Sequence, residues 1–458
     1  MTPPAAPNAV ASHREHRSIG DLYHALLRHP EDHLDSAAAF LDAQLDLQRA
    51  ADDDELPSDP ERWDDWLTNR AERSAQAYAA YLGERRDGAP RRHFRNRAHA
   101  LHFLQAVAPT KHVDGAWLYG VLAHWSEPRL LPLVHICLEE LGHGIPARNH
   151  VLIYQRLLDT LGCDTPLDLS DAHYVQGVVQ LALGYLSDAY LPEVLGYNLG
   201  YELPPLHLMI TSYELRELGI DPEYFRLHVT IDNAASGHGR KALQALQANL
   251  PHLADRDTFL RRVHAGYRLN DAGLSNRQLL DGFDLDAEVI AMLERKRPFA
   301  KQMHDDRARI GGRTVNQWMA GPGRMGEFLA ALERQGWIKR HQDPAHSRLW
   351  NLISGDSAVM FGVFTPYERQ LLHDWIAGDW SEPPPRNPWS GSEKASAEPA
   401  PVRSEFAAEE RALLSELSTL SPRSRMQRLV ALMAPHRHWT PAGLLATRIY
   451  TDKLGIEP

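Results

Sequence analysis

Residues 135–150 read HICLEELGHGIPARNH, a helical pattern that ends in a cluster of acidic and imidazole side chains. Glu140 and His143 are three residues apart, so on a helix they share one face. Two glycines and a proline then interrupt the helix, and His150 is therefore out of helical phase with Glu140. The simple interpretation of this stretch is a helix end that is capped by glycine and carries polar side chains. The alternative is a helix break that directs Glu140 and His150 to one point.

Outward from this stretch, the helical pattern continues from about residue 95 to about residue 297 with almost no strand signal. We therefore expect an all-α protein whose core is a helical bundle. With 458 residues, the chain is long enough for two to four units. We divide it into an N-terminal tail with a helical extension (1–94), the bundle (95–297) and a small appended segment of short helices that could include a strand pair (298–380). A Pro/Ser-rich linker (381–403) and a C-terminal helical segment (404–458) follow.

The charge balance narrows the possible partners. Lys and Arg number 49 against 60 Asp and Glu, a net charge of −11, which disfavours nucleic acid and an anionic membrane surface. No apolar run is long enough to span a bilayer, and the N-terminus lacks the apolar region of a secretory signal. Two cysteines make no disulfide framework, so we expect a reducing cytoplasm. With 25 histidines, any metal site is expected to use imidazoles and carboxylates.

Three further stretches each offer a carboxylate or an imidazole. In LHVTIDN (227–233), His228 and Asp232 are four residues apart between apolar neighbours, so they lie on one helical face, although such pairs are also common on surfaces. Glu202 ends the run LPEVLGYNLGYE, as a helix cap or an inward carboxylate. Asp114 precedes Gly-Ala-Trp, where an N-cap needs no further function. Carboxylates and histidines from several helices are what a carboxylate-bridged diiron bundle requires, although zinc or manganese accepts the same ligands.

Together these stretches resemble the heme-oxygenase-like diiron oxidases and oxygenases, a family of iron-containing redox enzymes. The likeness is carried by VDGAWL, by EELGHG followed by NH, by LGYNLGYE and by HVTIDNAASGH, and it covers about residues 100–295. It implies a bundle of about seven helices, usually a homodimer. It also implies two iron ions, O₂ as cosubstrate and an external electron donor, which is either a protein or a chemical reductant.

The resemblance also implies a role for individual residues. It makes metal ligands of Asp114, Glu140, His150, Glu202, His228, Asp232 and His238. In this assignment Glu140 and His150 hold one iron, His228 and Asp232 hold the other, and Glu202 bridges them or completes the site. These five residues are also the expected catalytic set.

Some positions depart from the family pattern. Asp114 stands where many members have the longer Glu, and the His that often follows the Asp by three residues is Ala235 here. His238 replaces it only if the helix is distorted near Gly237. His143 is not expected to be a ligand. Tyr197, Asn198 and Tyr201 are either contacts around the metals and substrate or parts of a packed aromatic core.

The first functional hypothesis is a cytoplasmic diiron N-oxygenase of specialised metabolism, which converts an amino group of a small polar substrate to a hydroxylamine or nitro product. The second is an oxidase that cleaves C–C bonds of amino or fatty acids, or desaturates them. A heme enzyme has no use for so many aligned carboxylates, and a thiamine-degrading relative needs a nucleophilic cysteine with a base nearby. A non-catalytic helical interaction protein leaves the buried acids and histidines unexplained.

Overall fold

The computed structural model describes residues 18–49, 55–163, 167–203, 206–231, 237–251, 255–307, 309–355, 358–360, 362–380 and 407–456. Over these residues the chain is all-α, as the periodicity predicts. Within them, extended pairing is limited to a two-residue antiparallel ribbon, β1 (Arg309–Ile310) with β2 (Arg313–Thr314). It turns at Gly311 and Gly312, which both have positive φ, as tight hairpin turns require. No helix in the described ranges is long and apolar enough to cross a membrane.

Three helices precede the bundle, within the region where a helical extension is predicted. They are α1 (Ile19–Arg28), α2 (Leu34–Arg49) and α3 (Trp63–Arg86). The apolar pattern from Ile19 to Ala50 is divided into two helices, because Pro30 begins a short 3₁₀ turn at Pro30–Asp32.

The bundle contains the stretches singled out in the sequence. Its helices are α4 (Arg97–Ala106), α5 (Ala108–Lys111), α6 (Leu131–Glu140), α7 (His150–Leu161), α8 (Val175–Tyr185), α9 (Leu191–Tyr201), α10 (Leu206–Glu217), α11 (Glu223–Ile231), α12 (His238–Ala248), α13 (Arg256–Arg268), α14 (Asn276–Asp281) and α15 (Leu285–Ala300). The other 3₁₀ segments of the described chain are Pro60–Arg62, Ala116–His124, Pro128–Leu130, Gly142–Gly144, Asp171–His173, Leu269–Asp271 and Pro344–His346.

The chain after the bundle is also helical. Its helices are α16 (Val315–Met319), α17 (Met325–Arg334), α18 (Arg348–Ile353), α19 (Pro366–Ala377), α20 (Ala407–Thr419), α21 (Pro422–Leu432) and α22 (Pro441–Leu454). The predicted linker, 381–403, lies outside the described residues, as does the predicted N-terminal tail, 1–12.

Two apolar clusters make up the core. The first joins α6, α8, α9, α12 and α13 with helices from both ends of the chain, α1–α3 and α20–α22. The second joins α4, α7, α10 and α11 with α15–α19. Residues 407–456 are therefore packed into the same core as the bundle. Glu140 and His238 lie on helices of the first cluster, and His150 and His228 lie on helices of the second. The candidate site therefore lies where the two clusters meet.

Helices α9 and α13 pack against each other at close range. A Cβ at Gly196 would lie 1.9 Å from the carbonyl oxygen of Val263, and a Cβ at Gly266 would lie 2.1 Å from that of Glu193. Only glycine permits this approach of α9 to α13.

Candidate metal centre

Six buried carboxylate and imidazole side chains converge in two groups that share one residue. The first group consists of Asp114, Glu140, His150 and His228, and the second of Glu140, Glu202 and His238. In each group the potential ligand atoms lie within 4.8 Å of one another. None of the six residues is more than 5% exposed. Buried acids in this number require cations or hydrogen-bond donors beside them.

The chain between Glu140 and His150 makes the tight turn that brings these two residues together. Glu140 is the last residue of α6, and Gly142 follows with φ +61°. A Cβ on Gly142 would lie 2.4 Å from the backbone of Arg148, so the turn requires glycine there. The buried Asn149 caps α7 by accepting a hydrogen bond from the Leu152 amide. His150 then begins α7 with its Nδ1 2.6 Å from Oε2 of Glu140.

Asp114 is held from three sides. Tyr201 donates its hydroxyl to Oδ1 at 3.0 Å, and Tyr224 donates its hydroxyl to Oδ2. Nε2 of His228 lies 3.1 Å from the same Oδ2. The following residue, Gly115, has φ +79°, and a Cβ there would lie 2.8 Å from Cβ of Glu140. This glycine therefore lets Asp114 approach the end of α6.

His228 uses Nδ1 for a backbone hydrogen bond and presents Nε2 to the site. Nδ1 donates to the carbonyl oxygen of Tyr224, one turn earlier in α11, at 2.8 Å. In a neutral ring, this bond places the proton on Nδ1 and the lone pair on Nε2, the nitrogen that faces Asp114. Histidines that bind metals are commonly oriented by such a bond to a backbone carbonyl.

The second group is built around the start of α12. His238 is the first residue of this helix, and its Nδ1 lies 2.9 Å from Glu202 and 3.5 Å from Glu140. Its Nε2 lies 2.6 Å from Glu139, whose carboxylate also accepts from Lys241. Glu139 therefore orients the ring so that Nδ1 faces the other two carboxylates.

Electrostatics in the first group reflect the competition between burial and nearby charges. Burial alone raises the pKa of Asp114, but the charge of Lys111 and the nearby His150 and His228 outweigh it, and the pKa lies well below its usual range. Burial lowers the pKa of His150, but Glu140 and Asp114 raise it to about 9. Without a metal ion, a protonated imidazole is thus the local counter-charge for these acids.

The second group behaves in the same way. Burial and the nearby Glu140 raise the pKa of Glu202 against the lowering effect of His238. The pKa of His238 is raised well above its ordinary value, since Glu202, Glu139 and Glu140 outweigh the effect of burial.

Several of these atoms lack a hydrogen-bond partner although they are buried. They include Oε2 of Glu140, Nδ1 of His150 and Oε1 of Glu202. The first two are 2.6 Å apart, yet their angles do not make a hydrogen bond. Such an atom costs about 1–3 kcal/mol unless something coordinates it. The donor set, carboxylate oxygens and imidazole nitrogens, fits two divalent cations with Glu140 as the residue common to both.

A sequence model of the iron-containing redox enzyme family matches residues 101–271. This part of the chain is similar to that family. No curated protein and no solved structure matches the chain. The match confirms the resemblance and the heme-oxygenase-like fold class, and it includes all six residues of the two groups. An iron-containing redox family together with a buried His/Asp/Glu cluster supports an iron-binding oxidoreductase.

The structure brings six of the seven predicted ligands together. Asp232 lies outside the described residues. The grouping differs from the expected one, because His228 lies with His150 rather than apart from it. His238 comes into the site without a continuous helix: α11 ends at Ile231, and α12 begins at His238. The ligand roles themselves stay predictions.

The neighbouring residues divide between the site and the core. Of the three predicted contacts, Tyr201 touches the site through Asp114. The Tyr197 hydroxyl instead donates to Gln176, and Asn198 accepts from the indole of Trp117, so both belong to the packed core. His143 is in neither metal group.

Sequence reasoning missed two residues that support the ligands. Tyr224 is four residues before His228, a spacing that places both on one face of α11 and could have indicated it. Glu139 stood in the first stretch we considered, but its partner His238 is distant in sequence, so no local signal connects them.

A cavity of about 460 Å³ reaches the first group. His228 and Tyr201 line it at the metal centre, and Lys111 and His207 lie along the same wall. Apolar residues such as Phe103 complete the lining. This space is large enough for a small polar molecule and is in direct contact with the candidate centre.

Proposed function

We propose that the protein is a nonheme diiron oxygenase that oxidises the amino group of a small polar substrate to a hydroxylamine and then to a nitro product. The observation that carries the proposal is the position of Glu140, which belongs to both groups of potential ligands. A carboxylate with two oxygens can bridge two ions, and a single-metal site would need no second group.

The charges of the ligands support a pair of ferrous ions. The described carboxylates Asp114, Glu140 and Glu202 offset three of the four positive charges that two Fe(II) ions carry. The three imidazoles add neutral ligands, and so small a set leaves coordination positions open for O₂ and substrate. When bound, the ferrous pair supplies electrons for the reduction of O₂.

The residues around the candidate ligands would orient Asp114, exclude water and admit the substrate. Tyr201 and Tyr224 hold Asp114 in one orientation through its two oxygens. The candidate ligands are almost fully buried, so bulk water is kept from the reacting atoms. The cavity beside His228 gives the amine its access.

The reaction balances with an external reductant. In the first step, the amine, O₂, two electrons and two protons give the hydroxylamine and water: an N–O bond forms, and the second oxygen atom leaves as water. In the second step, the hydroxylamine and another O₂ give the nitro compound and water without further electrons. The electrons of the first step come from a donor protein or a chemical reductant.

The test is product analysis with isotopically labelled O₂. The protein, loaded anaerobically with Fe(II), is incubated with a panel of small amines, ascorbate and labelled O₂, and the products are identified by mass spectrometry. We expect labelled oxygen on nitrogen. Unlabelled alkenes or shortened carbon chains would overturn N-oxygenation in favour of desaturation or C–C cleavage.

Two variants connect the activity to the site. Glu140→Gln keeps the size of the side chain but removes the shared charge, and we expect turnover to fall by more than about a hundredfold. His143→Asn is the matched control, because His143 is close in sequence but in neither group. Equal turnover by Glu140→Gln and the control would refute the proposed site.

A further inference from the structure

Lys111 places a cation on the wall of the cavity that reaches the metal centre. It is the last residue of α5, three residues before Asp114, and it lines the cavity together with Tyr201 and His228. The ammonium is two hydrogen bonds from the first group: it donates to the Tyr201 hydroxyl at 3.1 Å, and that hydroxyl donates to Asp114. Lys111 therefore lies where a substrate and the metal centre would meet.

The Lys111 ammonium makes few contacts with other side chains. It lies over the rings of Tyr201 and Tyr224, at 5.4 and 5.5 Å from their centroids. Among the described residues no carboxylate forms an ion pair with the ammonium, and its charge acts on Asp114 through space. An ammonium has three N–H donors, and the bond to Tyr201 uses one. Two donors are thus left for a bound molecule.

The charge of the metal-loaded centre makes an anion favourable at this position. Two ferrous ions exceed the charge of the three described carboxylates by one, and Lys111 adds another positive charge. Even with Asp232 as a fourth carboxylate, the total stays positive. A cation beside two metal ions in a low-dielectric cavity is stabilised when an anion enters.

The rest of the cavity does not compete for that anion. Of the other charged groups in its lining, Arg70 is paired with Glu55, and Asp271 is itself an acid. Burial and the neighbouring Lys111 lower the pKa of His207 to about 3, so this ring is neutral and serves as a hydrogen-bond partner. A single free ammonium suits a monoanion, whereas phosphate groups are usually bound by several cations or backbone amides.

We propose that Lys111 binds the carboxylate of the substrate, so that the substrate is a short amino carboxylate. This inference rests on the proposed function, because it identifies the molecule whose amine is oxidised. Lys111 is only two hydrogen bonds from Asp114, so few bonds separate the carboxylate from the amine that faces the metals.

The test measures binding rather than turnover. Fe(II)-loaded protein is titrated anaerobically with glycine, β-alanine and 4-aminobutyrate, each beside its carboxamide, by calorimetry. Inorganic phosphate is a further arm. We expect each carboxylate that fits to bind about tenfold more tightly than its amide, as one charged hydrogen bond predicts. We expect phosphate to bind no better than the amides.

Variants assign the preference to the lysine. In protein loaded with Fe(II) to saturation, Lys111→Met should lose the preference, and Lys111→Arg, which keeps the charge, should keep it. Lys339→Met, at an exposed lysine away from the cavity, is the matched control. An unchanged preference in Lys111→Met, an absent preference in the wild type, or tighter binding of phosphate would each overturn the proposal.

Iron content, measured on the same samples, separates the two proposals. Two irons per chain without a carboxylate preference would overturn the role of Lys111 alone. A Lys111-dependent preference in protein that binds no iron pair would support the anion site and overturn the diiron proposal.

Discussion

Asn149 connects the metal centre with the C-terminal helices, and its replacement by alanine has a predictable cost. The residue is fully buried. Its Oδ1 accepts from the Leu152 amide at 3.1 Å and caps the helix that begins with His150. Its Nδ2 donates to the Leu141 carbonyl at 3.2 Å and lies 3.0 Å from Nδ1 of His438.

The cost is the sum of three losses. The cap contributes about 1 kcal/mol. Loss of the bond to Leu141 costs about 1 kcal/mol, since that carbonyl also accepts from Gly144 and stays paired. His438 is only 2% exposed, and its unpaired nitrogen costs about 1–3 kcal/mol. We therefore expect Asn149→Ala to lower the free energy of unfolding by about 3–5 kcal/mol.

Urea unfolding of the metal-free protein, followed by circular dichroism, measures this loss. Asn96→Ala is the matched control: Asn96 caps α4 by accepting from the His99 amide, so it should lose only the cap, about 1 kcal/mol. Because Asn149 also fixes the start of α7, we expect Asn149→Ala to bind less iron at any given Fe(II) concentration. Equal losses of stability in the two variants, with full iron binding, would refute the reasoning.

Two further predictions concern the first group. Gly115→Ala should lower the free energy of unfolding by about 1–3 kcal/mol and reduce iron binding, because the new Cβ meets Glu140 at a positive φ. Gly88→Ala is the control: Gly88 has φ +91° but open space around it, so this variant should lose only the stability that the strained backbone costs. Equal effects of the two variants on iron binding would contradict the prediction. His150 has its pKa raised to about 9 in the folded, metal-free protein, so it adds stability below its ordinary pKa of 6.5 that is lost as the pH rises toward 9. Iron must displace this proton, so the apparent Fe(II) affinity should rise over the same pH range. If His150→Ala kept the wild-type pH dependence of unfolding, the prediction for His150 would be wrong.

Local sequence pattern predicted the helical class and singled out candidate residues, because helix periodicity and glycine breaks are local properties, whereas the ligand roles came from the family resemblance and stay predictions. His228 followed from its apolar neighbours, and Glu140 from its place before a glycine-rich turn. The hairpin at Gly311 and Gly312 fits the expected strand pair of the appended segment, while the described part of the apolar run 357–364 forms no strand.

Contacts between distant segments could not be predicted in this way. Helical phase says which residues share a face, but not which helix ends meet. The shared place of Glu140 and the contact of Glu139 with His238 depend on the packing of α6 against α12. The approach of His438 to Asn149 depends on a segment outside the family match.

Anomalous scattering at the iron edge, from crystals grown with Fe(II) under anaerobic conditions, tests the central claim most directly. The account predicts two iron peaks in each chain, one in each group, both within bonding distance of the Glu140 carboxylate. A single peak, or two peaks of which only one contacts Glu140, would contradict it.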